Sequence, residues 1–439
     1  MRHTIPRGLT SLATPRCLCL GARPDTIPRT SSTVINPWRG LRGLPADVWL
    51  LFATTLVNRT GTMALPFLVL YLTQHMGLAA GTAGLALTVY GVGSLVSAPF
   101  AGRLSDRMGA LRVMELSLLG SGALLLCFPL ASGLAGVLAL TFAWAVVGEA
   151  IRPASLAALT ETTRPEQRRA AVALNRLAVN LGMSVGPAVG GFLAMLSFPA
   201  LFLVDGATSI AAGIVLAVAS RRMVALRAAR GIPAPQRAAT PRLGPGVRSD
   251  RRFLVFLFGA FLVGIIFFQH TGAMPVFLVR DLGLPSTFFG FLFVVNTVLI
   301  VLLEVPLNLA MVRWPHASTV SLGCVLCGIG FGAMAFTTEA WQLVLTVVVW
   351  SFGEMMVFPA SAAYVADAAP ESRRGEYMGA YTMAFGLAFA VGPWLGTVVM
   401  DRAGSGVLWS LMFVLGAAAA LVMGRAALLP GAPRAAAPA

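Results

Sequence analysis

Charge is scarce in this chain. Only 11% of its 439 residues are Asp, Glu, Lys or Arg, against about 25% in an average soluble domain, while 57% are hydrophobic, and that balance excludes an ordinary soluble fold. Lysine is absent altogether. All 32 basic residues are arginine, set against 17 acids and giving a net charge of +15. Cysteine is rare as well, with five in all. Cys17 and Cys19 lie in a polar N-terminal stretch and Cys127 stands alone in an apolar run. Cys324 and Cys327 have C-x-x-C spacing inside an apolar segment with no His or acid beside them, so small-residue packing is expected there rather than metal or redox chemistry. Residues 1–33 lack the apolar core of about 7–15 residues that a secretory signal needs. They read as a disordered tail, or as the product of a start codon assigned upstream of a protein that begins near Val34.

What the chain has instead is long apolar runs. Twelve are near the roughly 20 residues that a helix needs to cross the hydrocarbon core: 47–73, 82–101, 113–130, 135–158, 171–195, 200–220, 253–279, 287–309, 318–336, 340–366, 377–400 and 406–425. They are rich in Leu, Ala and Gly and too long for barrel strands, which leaves helices as the spanning element. The arginines alternate with these runs. Twenty-seven fall in one alternate set of segments, only Arg280 and Arg402 in the other, and Arg59, Arg152 and Arg176 lie within runs. A nucleic-acid surface would not alternate in this way. The positive-inside bias does, and it puts both termini in the cytoplasm.

The chain also repeats itself in the same direction. Gly148-Glu149 matches Gly353-Glu354 at an offset of 205, as do Pro165-Glu166 with Pro370-Glu371 and Arg168-Arg169 with Arg373-Arg374, while Gly77, Gly84 and Gly186-Pro187 match Gly283, Gly290 and Gly392-Pro393 at 206. In so apolar a chain, two parallel copies imply two similar helical bundles facing each other across a cavity. The expected organisation is a disordered or misassigned tail over 1–45, a six-helix bundle over 46–220, a cytoplasmic linker over 221–252, a second six-helix bundle over 253–425 and a tail over 426–439. The linker carries nine Arg, four Pro and the single acid Asp250, a composition suited to a disordered strand near anionic lipid headgroups.

Between the second and third runs, Gly102-Arg103-Leu104-Ser105-Asp106-Arg107-Met108-Gly109-Ala110-Leu111-Arg112 resembles the G-x-x-x-D-R-x-G-R-R signature of the major facilitator superfamily. It matches at Gly102, Asp106, Arg107 and Gly109. It departs at Ala110 and Leu111, with Arg112 standing in for one basic residue. The resemblance implies a twelve-helix all-α membrane protein made of two parallel six-helix repeats. It also implies that Gly102, Asp106, Arg107, Gly109 and Arg112 form a cytoplasmic latch favouring the outward-facing state; an ordinary charged turn is the plainer reading. In the fifth run, Gly182, Gly186, Pro187, Gly190 and Gly191 resemble the later part of the antiporter motif of drug:proton exchangers, with Ala173 where its first glycine would fall. Proline and glycine there allow a kink and close packing. The G-x-S-x-G match of Gly182 to Gly186 lies in a membrane helix, so it is coincidental and no enzyme is expected.

Ionisable groups inside spans are costly unless they face a partner or water. Arg59, Glu149 and Glu354 fall near mid-span, and Glu304 nearer one end; Glu149 and Arg152, three residues apart, share a helix face. A cluster of Arg59, Glu149 and Arg152 opposed by Glu354 is expected, with Glu149 as proton carrier and Glu354, then Glu304, as substitutes. A permanent ion pair that only locks helices competes with that reading. Asp205 and Arg176 are expected near membrane faces, snorkelling to water. Expected cavity contacts are Phe67, Tyr90, Phe268, Gln269, His270, Asn296 and Trp350, whose aromatic members suit flat apolar substrates, with core packing as the alternative. Arg59 also matches the last position of the E-x-x-E-R motif of proton-coupled peptide transporters, but Thr55 and Asn58 replace both acids. The resulting expectation is a secondary transporter of the bacterial cytoplasmic membrane, exporting a small amphipathic molecule in exchange for protons. Its partners would be that molecule, protons and the bilayer, without cofactor, metal or nucleic acid, and a single chain would suffice. Proton-coupled uptake of a nutrient or peptide, or a receptor or scaffold, are the alternatives.

Overall fold

The computed structural model describes residues 43–164, 167–229, 246–370 and 373–428. The tail over 1–42, residues 230–245 of the linker, the repeat's Pro165-Glu166 and Glu371, and residues beyond 428 lie outside them. Leu- and Ala-rich runs become helices because a backbone in hydrocarbon must bond within its own segment. The first half comprises α1 (Ala46–Gly61), α2 (Ala64–Leu70), α3 (Ala80–Met108), α4 (Ala110–Cys127), α5 (Gly133–Gly148), α6 (Ile151–Thr162), α7 (Arg168–Leu196) and α8 (Phe198–Ala229). The second comprises α9 (Arg251–Phe267), α10 (Ala273–Val276), α11 (Ser286–Ala310), α12 (His316–Gly332), α13 (Ala340–Ala368), α14 (Arg374–Ala403) and α15 (Ser405–Leu428).

Among the described residues, eleven helices are long and apolar enough to cross a membrane. The twelfth expected span, 47–73, is present but broken between α1 and α2. Pro66 sits in the first turn of α2, where its missing N–H and its ring oppose a continuous helix. Span 253–279 is likewise interrupted after α9 by a 3-10 turn at Phe268–His270, and span 135–158 at Glu149-Ala150 between α5 and α6. The duplication is visible in the backbone. Each half's first span ends in a π-helical turn, Tyr71–His75 and Phe277–Asp281, followed by Gly77 at φ +69° and Gly283 at φ +66°. That left-handed conformation is one glycine adopts without strain.

The two halves meet along two antiparallel seams, α3 on α14 and α7 on α11. Along the first, Gly84 lies against Trp394 and Thr397, Gly91 against Ala390, and Leu95 against Gly386. Along the second, Gly290 lies against Pro187 and Gly191 against Thr287. Phe67 of α2 crosses to Phe289 of α11, ring centroids 5.2 Å apart. These contacts gather toward the face opposite the linker. Toward the linker face α3 and α14 separate: nothing lies within 4 Å of a Cβ built on Gly102, Gly375 or Gly379, and Phe100 and Met383 are 61% and 55% exposed.

Candidate translocation site

The break between α5 and α6 places Glu149 where one half-helix ends and the next begins. Both its oxygens are used. Arg152 Nε lies 2.6 Å from Oε2, and the Tyr90 hydroxyl of α3 donates to Oε1 at 2.8 Å. Glu149 is buried, while Arg152 keeps 63% of its side-chain surface accessible at mid-span. The sequence pairing of Glu149 with Arg152 is therefore found. Arg59 lies within electrostatic range of Arg152, Glu149, Tyr90 and Asp205, but forms no ion pair among the described residues.

The second half repeats this arrangement without the cation. Asn296 of α11, the residue 206 beyond Tyr90, donates through Nδ2 to Glu354 Oε2 at 2.9 Å and to Ser351 Oγ at 2.8 Å. Val357 occupies the position that corresponds to Arg152. The acid nearest Glu354 is Glu304, itself paired with Arg176 of α7 across the second seam at 3.2 Å. Each half thus holds one mid-span carboxylate fixed by a neutral donor from its second span. Only one of the two is offset by an arginine.

Several expected positions turn out otherwise. Asp205 does not snorkel. It is 3% exposed, and its Oδ2 accepts from the backbone N–H groups of Met63 and Ala64 at 3.2 and 3.0 Å, satisfying donors that the break leaves at the start of α2. Arg176 is exposed but serves the ion pair to Glu304. Tyr90 is a partner of Glu149 rather than an open cavity wall, and its ring meets Phe389 of α14 at 5.9 Å across the first seam. Phe67 is fully buried in the contact between the halves. Gln269 is fully buried too, its Nε2 donating to the carbonyls of Ile265 and Gly392 and so tying the break after α9 to α14. Trp350 is 4% exposed and stacked on Phe331 at 5.3 Å. His270 Nδ1 is 2.6 Å from the Phe267 carbonyl, and the ring lies beside Trp350 and Phe293. Half-buried Phe268 meets Phe389 at 5.0 Å, and Phe267, which sequence reasoning passed over, meets Phe358 at 4.9 Å. Those contacts form an aromatic wall on the second half.

The glycines of the fifth span do the packing expected of them. A Cβ on Gly182 would collide with Arg59, one on Gly186 with the Thr62 carbonyl, and one on Gly190 with Met63 and Phe67. Spaced four apart, they seat α7 against the break in the first span, while Gly191 faces α11. On the neighbouring faces of α1, Thr55 donates to Asn175 at 3.1 Å and Asn58 to Ser209 at 3.2 Å. The segment that resembles the facilitator signature is not a loop but helix on both sides of Gly109: Arg103, Asp106 and Arg107 are exposed on the last turns of α3, which Gly109 ends at φ +90° before α4 begins at Ala110.

The model of the Major Facilitator Superfamily matches residues 50–288 and 256–438. The chain belongs to that superfamily. It is 25% identical over 82% of its length to an uncharacterised transporter of this type, YqjV, from Bacillus subtilis, of which 87% is covered. It is 24% identical to a Na(+), Li(+), K(+)/H(+) antiporter of Planococcus maritimus, covering 77% of this chain and 85% of that one. It is 25% identical to the class C tetracycline resistance protein of Escherichia coli, covering 79% and 87%. The solved structure of an auto-inhibited POT family peptide transporter superposes with a TM-score of 0.72 at 16% identity over 90% of this chain and 99% of that one, a likeness of fold. This facilitator is accordingly a multi-pass membrane transporter and not an enzyme.

Proposed function

We propose that this facilitator exports a small amphipathic molecule across the bacterial cytoplasmic membrane in exchange for protons, by alternating access, as a single chain with both termini in the cytoplasm. The observation that carries the proposal is the repeated carboxylate. Glu149 and Glu354 occupy equivalent mid-span positions with equivalent donors, Tyr90 and Asn296, but only Glu149 has an arginine. A carboxylate beside a cation keeps its charge at little cost, whereas one held only by a neutral amide is the cheaper of the two to neutralise with a proton. The sequence points first to Glu149 as carrier; this geometry favours Glu354. Once protonated, Glu354 could donate to Asn296 Oδ1 after a turn of the amide, so both states have a partner. The Glu149–Arg152 pair then becomes the group for which substrate competes, and Tyr90 links it to the α3–α14 seam through Phe389.

With the linker on the cytoplasmic side, the separation of α3 and α14 near Gly102 and Gly379 corresponds to a state open inward. Relatives that exchange cations for protons or confer tetracycline resistance support proton-driven export as the direction. Peptide uptake gains little support from the first span, because Thr55 and Asn58, the two positions that would need acids, are engaged with Asn175 and Ser209. A receptor or scaffold would leave the polar residues of the bundle unlabelled by cysteine reagents that follow a water path.

The test begins with a thermal-shift screen of amphipathic cations and monovalent salts on purified protein, since a ligand that binds only the folded state raises its apparent stability. In proteoliposomes, Glu354→Gln should then keep exchange of that ligand down its own gradient and lose accumulation driven by a pH gradient. Normal pH-driven accumulation by Glu354→Gln, with loss in Glu149→Gln, would return the proton to Glu149. Accumulation in right-side-out rather than inverted vesicles would make the facilitator an importer.

A further inference from the structure

At the end of α14, Asp401 Oδ2 accepts the backbone N–H of Gly81, the second residue of α3, at 2.6 Å, and its Oδ1 lies 2.9 Å from Arg280 Nη1. Arg280 Nε is held in turn by Asp281 at 2.7 Å. The contact therefore joins the two halves at the face opposite the linker, beside a cavity of about 290 Å³ between the first spans of the halves, lined in part by Thr73, Gln74 and Arg280. An acid in the last turn of a helix is badly placed for its own helix dipole, which is negative there. Asp401 escapes that penalty only while the first turn of α3 and Arg280 supply positive charge.

The other end of the same helix pair carries the same chemistry. Asp401-Arg402-Ala403-Gly404 ends α14 as Asp106-Arg107-Met108-Gly109 ends α3, and the closing glycines have nearly equal φ, +88° and +90°. The seam has a constant antiparallel register. Gly84 meets Thr397, Gly91 meets Ala390 and Leu95 meets Gly386, so each step down α3 is matched by an equal step back along α14. Continued to the linker face, that register sets Asp106 opposite Gly375, the second residue of α14, just as Asp401 stands opposite Gly81, the second residue of α3. The two ends differ in spacing: Asp401 is 3.3 Å from a Cβ built on Gly81, while nothing lies within 4 Å of one built on Gly375.

We propose that Asp401, seated on the N-terminus of α3 and clamped by Arg280, is the latch of the face opposite the linker, and that it alternates with the Asp106 latch as α3 and α14 rock about their crossing. Each helix carries one carboxylate and offers one N-terminus. Rocking about the contacts near Gly91 opens one end as it closes the other, so the two latches cannot both be seated. The proposal rests on alternating access and adds which residues hold the inward-open state.

The test measures distances by pulsed electron spin resonance, with the five native cysteines replaced, on protein in lipid nanodiscs. One label pair, Ser132→Cys with Thr338→Cys, reports the face opposite the linker, and another, Glu161→Cys with Asp367→Cys, reports the linker face; all four positions are exposed. Asp401→Asn should lengthen the first distance and shorten the second, moving the ratio of the two states by about tenfold, the effect of losing one hydrogen bond to a charged group. Arg280→Gln should act in the same direction with smaller amplitude, and Asp106→Asn in the opposite one. Both Asp401→Asn and Arg280→Gln alter side chains at a partly exposed helix end, and unchanged thermal stability shows that each has folded. Distances in Asp401→Asn equal to those of the parent, while Asp106→Asn moves them, would overturn the latch and leave alternating access standing. A single fixed distance at both faces in every variant would overturn both.

Discussion

Replacing Asp205 should destabilise the fold through the broken first span. The side chain is 3% exposed and accepts two backbone N–H groups, from Met63 and Ala64. No earlier carbonyl can serve those donors, because α1 ends at Gly61. Each buried donor left without an acceptor costs about 1–3 kcal/mol, so Asp205→Leu should lose about 2–6 kcal/mol, whereas Asp205→Asn keeps an acceptor oxygen and should lose about 1 kcal/mol. Leucine is a fair probe because the second repeat holds an apolar side chain there: α8 and α15 begin 207 residues apart, which sets buried Met412 at the position of Asp205. Unfolding of a multispan protein is not a two-state transition, so the observable is rank order: apparent Tm followed by tryptophan fluorescence in detergent should fall from parent to Asp205→Asn to Asp205→Leu. An Asp205→Leu variant as stable as the parent would show that something other than this carboxylate holds the break. A loss as large in Asp205→Asn as in Asp205→Leu would show that packing, rather than hydrogen bonding, is at stake.

Gly182→Ala should cost about 1–3 kcal/mol by forcing α7 away from Arg59, while Gly379→Ala, with nothing within 4 Å of its Cβ, should leave apparent Tm unchanged; equal effects would refute the packing assigned to the fifth span. In a double-mutant cycle, Glu149→Gln and Arg152→Gln should couple by about 1 kcal/mol, a modest value because Arg152 is largely exposed, and strictly additive losses would mean that the pair seen at 2.6 Å contributes nothing.

Most of the fold was legible because hydropathy and the direct repeat are properties of the chain itself. Eleven of the expected spans are long helices, and the offset of 206 reappears in the π-helical turns that close the first span of each half. The breaks were harder to read. Pro66 and Pro275 are local signals, but what holds each break, Asp205 for the first and Gln269 for the second, comes from residues 142 and 123 positions away from their partners. An apolar run gives no sign of such a bond, which is why Asp205 read as a snorkelling acid and Gln269 as a cavity contact. The Glu149–Arg152 pair was legible, since three residues on a helix fix a shared face. The Asn296–Glu354 bond was within reach: the repeat that aligned Glu149 with Glu354 also aligns Tyr90 with Asn296, and only the donors' roles needed the structure.

The central claim is that substrate competing for the Glu149–Arg152 pair and a proton carried on Glu354 exclude one another. It is tested most directly by adding the ligand found in the thermal-shift screen to purified protein in weakly buffered detergent and following pH. The parent should release protons on binding, and Glu354→Gln should bind the same ligand with no release. Proton release by Glu354→Gln equal to that of the parent would contradict the account.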